Sequence, residues 1–345
     1  MDMNRKFTQR IGDYCREKHI WGVLRVTRRG EILHEQSVGF ADRERGLPFD
    51  GNSMFTFYSL SKPFCAIGLM KLRDRGLVEL DVHPCRYVPE AAGFDSRVTV
   101  RQLLHHTSGL PDFEQTGDFA KKYAPGYGKY IREHLKLLSR YPQYFAPGTG
   151  SMYANVNFVL CALIIENVTG MAYGDYMKTE VFEPLGMKTA VVDREELRIP
   201  NRVEGYALVD GAPARIEKSH DWLLGAGDIV GTVEDVYCLN KAIKNRLLLS
   251  EESWKLILTP SGVNDKGMGC TLSRWHGKHR ITHNGGHLGF RTLHIQLPED
   301  DFDIIFLSNS GFGNAREELS EMIFEAFCDG TAPKGKMIEM DTGYI

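Results

Sequence analysis

Ser59 and Lys62, in Ser59-Leu60-Ser61-Lys62, stand three residues apart where a β-rich stretch gives way to the apolar run from Pro63 to Leu72. On a helix that spacing places both side chains on one face, so the amine can reach the hydroxyl. A serine hydroxyl is a weak nucleophile at neutral pH; a neighbouring base and donors that hold an oxyanion make it a useful one. The pair therefore suggests acyl transfer, and the rest of the chain must supply the other parts. Tyr153-Ala154-Asn155 follows the turn Pro147-Gly148-Thr149-Gly150. A phenol there can move protons when nearby positive charge favours its phenolate, and Asn155 can donate and accept at a substrate amide. Further on, His283-Asn284-Gly285-Gly286 ends a strand-like segment. Its glycines permit close backbone approach to a ligand, and exposed N–H groups there can complete an oxyanion hole.

Each residue also has a plainer reading. Ser-x-x-Lys alone is common on solvated helices, and Tyr153 alone reads as a packed aromatic with a satisfied hydroxyl. Ser61 reads as structural, and His105-His106 as packing beneath the site. His276, His279, His283 and His287 form the one cluster with metal-like spacing. On an extended segment His279 and His283 share a face but lie about 13 Å apart at about 3.3 Å per residue, too far to converge on one ion. No metal and no other cofactor is expected. Phe55, Phe57, Tyr58 and Phe113 read as packing residues or, at most, as the lining of an apolar acyl pocket. Glu195-Glu196 and Glu317-Glu318 read as solvated helix faces.

The elements that position these residues follow from periodicity. Gly22 to Thr27 and Ile32 to Val38 read as strands around a turn at Arg28-Arg29-Gly30, so the chain is expected to open with antiparallel strands. Helical patterns follow at Phe64 to Leu72, Val100 to His105, Tyr130 to Leu138, Asn157 to Val168 and Tyr173 to Val181. Strand patterns return at Arg280 to His283, Phe290 to Leu297 and Phe302 to Leu307, and Ala315 to Phe327 closes as a helix. Strands from both ends around a helical insertion predict an α+β fold, with one antiparallel sheet covered by helices. The expected division is a single unit over 1–345, with a sheet lobe from 7–58 and 215–345 and a mainly helical lobe from 59–214. The lobes would meet in a cleft.

Composition removes several classes of partner. The net charge is -3 and the basic residues are scattered, so nucleic acid is not expected. The longest apolar stretch, Phe158 to Ile165, is far short of the roughly 20 residues that span a bilayer, so no membrane association is expected. The first residues show no export signal, and the seven cysteines are widely spaced and odd in number, which suits free thiols. A cytoplasmic site is the expectation, and oligomeric state is not legible.

In this order, Ser59-x-x-Lys62, Tyr153-x-Asn155 and His283-x-Gly285 resemble the serine β-lactamase and penicillin-binding protein superfamily, specifically its class C β-lactamase-like branch. Leu103 to Leu110, Gly225 to Thr232 and Gly285 to Arg291 resemble further segments of that branch, extending the likeness from about Gly22 to Phe327. The resemblance implies a β-lactamase/transpeptidase-like fold and a serine hydrolase that cleaves an ester or amide through an acyl-enzyme. It implies Ser59 as nucleophile, Lys62 and Tyr153 as proton carriers, and the backbone N–H groups of Ser59 and Gly286 as the oxyanion hole. Asn155, His283 and Gly285 would bind a small ester, amide or short-peptide substrate. Two departures bear on substrate. His283 stands where many β-lactamases carry lysine, so its charge is expected to be fractional and carboxylate anchoring pH-dependent. This version is found in esterase, D-amino-acid peptidase and carboxypeptidase relatives, which favours an esterase or D-amino-acid-specific peptidase. The alternatives are a β-lactamase, a D-alanyl-D-alanine carboxypeptidase, or a ligand sensor without turnover. Asp228 occupies a position usually held by glycine, and Arg291 suits either a substrate carboxylate or a structural ion pair.

Overall fold

Alternating side chains build the sheet at the centre of the molecule. Strand β1 is Gly22–Arg28, β2 Glu31–Val38, β3 Thr271–Trp275, β4 Lys278–His287, β5 Phe290–Leu297 and β6 Phe302–Ser308. They form one antiparallel sheet in the order β3-β4-β5-β6-β1-β2, with Gly22 paired to Ser308 where the two ends of the chain meet. Phe302, Ile304 and Phe306 of β6 enter one apolar cluster with Leu24 and Val26 of β1. Ile305 and Leu307, pointing the other way, enter a second cluster shared with the helical lobe. The computed structural model describes residues 3–113, 131–194, 196–216, 223–311 and 316–328. Of the sequence expectations, Tyr130, Glu195 and Ala315 lie outside them.

The first cluster is closed by helices α1, Met3–Glu17, and, at the far end of the chain, Arg316–Phe327. Phe7, Ile11 and Cys15 of α1 are all buried. Their spacing of four residues makes an apolar stripe on an otherwise polar helix. The chain thus begins with a helix, not with the strands expected, because so narrow a stripe is easily lost among polar residues.

The second cluster is built mainly from helices packed against the other face of the sheet. Helix α2, Lys62–Asp74, packs against α3, Asn155–Thr169, and the side chains from Lys62 to Met70 and from Asn155 to Ile165 are buried. Each buried large apolar side chain contributes about 1.5–3 kcal/mol, so the run that follows Lys62 is anchored firmly. Helix α3 stops where Gly170, at φ 69°, takes the left-handed conformation and donates its N–H to Glu166. Among the described residues no single helix is long and apolar enough to cross a membrane.

Burial also sets a pH dependence of stability. His294 is fully buried, its Nδ1–H donates to Asn240 Oδ1 at 3.0 Å, and desolvation pushes its pKa down to about 3. The folded state therefore disfavours the imidazolium that the unfolded chain forms below about pH 6.5, and stability is lost as pH falls through that window. This one side chain should account for about 2 kcal/mol lost between pH 6.5 and 5. Burial pushes the carboxyls of Asp228 and Asp303 up to about 7 and about 6, which works in the opposite sense: stability is lost as pH rises through those values. Urea unfolding of His294→Gln should show a flatter acid limb than the parent, by about the stated amount.

Candidate active site

The short strand Phe55–Thr56 pairs with Ile229–Gly231, and the chain then turns sharply. Tyr58 makes the turn with φ 47°, an unusual conformation for a buried tyrosine. A 3₁₀ turn, Tyr58–Ser61, runs directly into α2. Phe57, Tyr58, Leu60 and Ser61 are all buried, whereas Ser59 is partly exposed. Ser61 accepts the Ile229 N–H at 3.0 Å, which agrees with a structural role.

Lys62 opens α2 with its side chain inside the protein. Its Nζ donates to Ser59 Oγ at 3.2 Å, Asn155 Oδ1 at 2.9 Å and the Ala226 carbonyl at 2.7 Å. Those three bonds use the three donors of an ammonium. The same Nζ lies 4.6 Å from the centre of the Tyr153 ring. A buried amine is thus aimed at a partly exposed hydroxyl, with the phenol ring alongside, an arrangement that can pass a proton between them.

Tyr153 and Asn155 are positioned from a distance. Asp112 accepts the backbone N–H groups of Asn155 at 2.6 Å and Val156 at 2.9 Å, so its carboxylate caps the first turn of α3. Burial raises the Asp112 pKa, and the backbone donors oppose that rise. His106, itself in the left-handed region at φ 57°, accepts the Ala154 N–H on Nδ1 at 3.2 Å and stacks on Tyr153 with ring centres 4.4 Å apart. Desolvation holds His106 neutral. Asp112→Ala should cost about 1–3 kcal/mol by leaving buried N–H groups unsatisfied, and Asp112→Asn should recover only part of it, because both carboxylate oxygens accept backbone N–H groups and the amide keeps one acceptor. Calorimetric unfolding of the two variants measures this.

The far wall is an open strand edge. β3 covers β4 only as far as Thr282, whereas β5 continues alongside to His287, so, among the described residues, 283–287 have a paired strand on one side only. The sequence placed the end of this strand at His283; pairing with β5 carries it through the glycines. A Cβ on Gly285 would stand 2.0 Å from the Phe57 carbonyl and 3.1 Å from the Ser59 nitrogen, so only glycine permits this approach. Gly286 is exposed. His283 is buried; its Nδ1–H donates to the Asn284 carbonyl at 2.7 Å, and its ring centre is 6.5 Å from that of Tyr153. Burial, reinforced by the Lys62 charge, pushes its pKa well below 6.5. The fractional positive charge expected of His283 is therefore absent at neutral pH.

The remaining sequence candidates lie outside this convergence. A side chain at Gly286 would meet Arg291 Cδ at 3.1 Å. Gly285 and Gly286 face opposite ways along the strand, so Arg291 lies across the sheet from Ser59. Its guanidinium donates to the Phe290 carbonyl at 2.7 Å and has no carboxylate partner among the described residues, so the structural ion pair considered for it is not formed there. Asp228 is buried behind Lys62. The four histidines go separate ways: His276 pairs with Glu321 at 2.7 Å, His279 with Glu299, and His287 packs edge-on against Tyr58. Phe55, Phe57, Tyr58 and Phe113 are core residues, none more than 1% exposed. Asp112 and the Ala226 carbonyl were not legible in the sequence, because their partners lie 43 and 164 residues away.

An antiparallel sheet and a helical lobe meeting at a Ser-Lys-Tyr cluster opposite a glycine edge define the β-lactamase and penicillin-binding protein class of fold. The chain belongs to the Beta-lactamase family, whose sequence pattern matches residues 5–325. It is 31% identical to a penicillin-binding protein of Bacillus subtilis (strain 168) over 329 residues, 88% of this chain and 72% of that protein. It is 30% identical to the esterase EstB of Burkholderia gladioli over 66% of this chain and 67% of that one. The D-amino acid amidase of Ochrobactrum anthropi SV3, solved with L-phenylalanine amide, superposes with a TM-score of 0.79 at 26% identity, covering 94% of this chain and 98% of that chain.

Proposed function

We propose that the protein is a serine hydrolase that opens an ester or amide bond through an acyl-enzyme on Ser59. The observation that carries this reading is the 3.2 Å bond from a buried Lys62 amine to a partly exposed Ser59 hydroxyl. In the proposed cycle, the Ser59 proton passes to the Lys62–Tyr153 pair as Oγ attacks the carbonyl. The backbone N–H groups of Ser59 and Gly286 hold the oxyanion, and the leaving group takes the proton. Water then releases the acyl group by the same route. Asn155, bonded to Lys62, and Gly285 line the position of the scissile group.

The substrates favoured are uncharged esters and D-aminoacyl amides. A neutral His283 supplies no cation for a carboxylate, and an esterase and a D-amino acid amidase are among the relatives. Penicillin binding is the second reading, favoured by the 31% identical relative that carries that name. The test is labelling with a fluorophosphonate and a fluorescent penicillin, with mass spectrometry locating the adduct, followed by turnover of p-nitrophenyl esters, D-aminoacyl p-nitroanilides and nitrocefin. We expect an adduct on Ser59 that Ser59→Ala abolishes, and ester or D-aminoacyl turnover above nitrocefin turnover. An adduct that survives Ser59→Ala defeats the mechanism, and a stoichiometric burst without steady state on every substrate makes the protein a sensor.

A further inference from the structure

The turn from Leu223 to Asp228 lies behind Lys62, and its Ala226 carbonyl receives the shortest of the three Lys62 bonds, 2.7 Å. Two backbone bonds, Ala226 N–H and Gly227 N–H to the Leu223 carbonyl, form one side of that turn. The other side is closed by a side chain: Asp228 Oδ2 accepts the Gly225 N–H at 2.9 Å. Asp228 is 3% exposed, and its Oδ1 is buried with no hydrogen-bond partner among the described residues. A glycine, the residue usual in this stretch of the branch it resembles, would leave the Gly225 N–H without this acceptor and bring no charge. A carboxyl group buried here at a cost of desolvation calls for a reason.

We propose that Asp228 is a positioning residue for Lys62, holding the turn that offers Ala226 to the amine and setting, through its own charge, how firmly Lys62 keeps its third proton. The inference rests on Lys62 serving as a proton carrier for Ser59.

The other titratable groups facing Asp228 come from several elements. From α2, Cys65 is buried and pushed up to about 12; from the helix Tyr173–Met177, Tyr173 is raised well above its ordinary value by burial. Asp193, which donates its backbone N–H to the Asp228 carbonyl at 2.7 Å, is paired with Arg202 at 2.5 Å. Beside Lys62, His106 and His283 are both held neutral by burial. Tyr153, whose ring centre lies 4.6 Å from Nζ, and Asp112, buried with its pKa raised by desolvation, face Lys62 as well. Desolvation pushes the Asp228 pKa up to about 7, and the Lys62 charge opposes that rise. An ionised Asp228 favours the ammonium of Lys62, and a neutral residue in its place favours the free amine.

Asp228→Asn keeps the shape and the acceptor for Gly225 while removing the charge. The acid limb of its pH profile for fluorophosphonate labelling of Ser59 should move down by about one pH unit, a tenfold gain at pH values on that limb. Asp228→Gly, which needs no buried polar group, should shift the limb the same way with a lower plateau, and it serves if the asparagine variant folds poorly. A readout independent of catalysis is the ¹³Cε resonance of Lys62 in ¹³C-lysine-labelled protein, assigned by its loss in Lys62→Met. Its titration midpoint should fall by about one unit in Asp228→Asn. Coincident midpoints in parent and variant overturn the inference even if Ser59 labels normally. A Ser59 that never labels, with the Lys62 midpoint shifted, defeats the proposed hydrolase and leaves the Asp228–Lys62 coupling standing.

Discussion

Lys62→Met is expected to slow acylation of Ser59 by about 10²- to 10⁴-fold, the range lost when a positioned base is removed. Methionine fills the space of the lysine stem but carries no proton, so Ser59 Oγ loses the amine 3.2 Å away. Stability should move little or rise. The Asn155 and Ala226 oxygens each lose a donor, which destabilises, but a charge with no solvent exposure is also removed. A variant that melts at or above the parent temperature and labels orders of magnitude more slowly is the expected pair of results. Lys62→Arg should fail similarly, because a guanidinium stays charged and cannot take a proton. Thermal melts and timed fluorophosphonate labelling on the same samples check both halves; equal labelling rates in parent and Lys62→Met would remove the amine from the mechanism.

Gly285→Ala is the second large effect. The added methyl would stand 2.0 Å from the Phe57 carbonyl and 2.4 Å from Thr292 Oγ1, so the strand or the Tyr58 turn must move. Thr292 Oγ1 also donates to the same Phe57 carbonyl at 2.8 Å, so the displacement breaks a bond that ties the sheet to the turn. Losing one oxyanion donor costs about 10²- to 10³-fold in kcat, and a shifted strand disturbs the Ser59 side as well. We expect kcat at least 10²-fold lower, with about 1–3 kcal/mol less stability from overpacking. Gly286→Ala is the control: the nearest obstacle there is Arg291 Cδ at 3.1 Å, at the far end of a flexible side chain that can yield, so its loss should be far smaller.

What the sequence disclosed about the site follows from how far apart the partners are along the chain. Ser59 and Lys62 were legible because a three-residue spacing on a helix is itself a geometry. Tyr153, Asn155 and the glycine edge were legible as an ordered set of short motifs, and the fold brings all of them to Lys62 or Ser59. The parts that hold this set in place left no local signal. Asp112 caps a helix that begins 43 residues later, and His106 meets Ala154 across 48. Charge states were equally out of reach: His283 in isolation titrates near neutrality, and only its burial shows that it stays neutral. In the fold, strands with clear alternation were read correctly, whereas α1 was hidden by its single narrow stripe.

The sheet order has a consequence for biosynthesis. β6 lies between β1 and β5, so Gly22 finds Ser308 only after all the helices and strands between them have been made. At about 5–20 residues per second, a nascent chain spends many seconds with β1 and its hairpin partner β2 synthesised but one edge bare. The edge that faces Ser59 belongs to β4, which is made late as well. Ribosome-bound intermediates should therefore hold collapsed helices and no competent centre until β4 and β6 have been made.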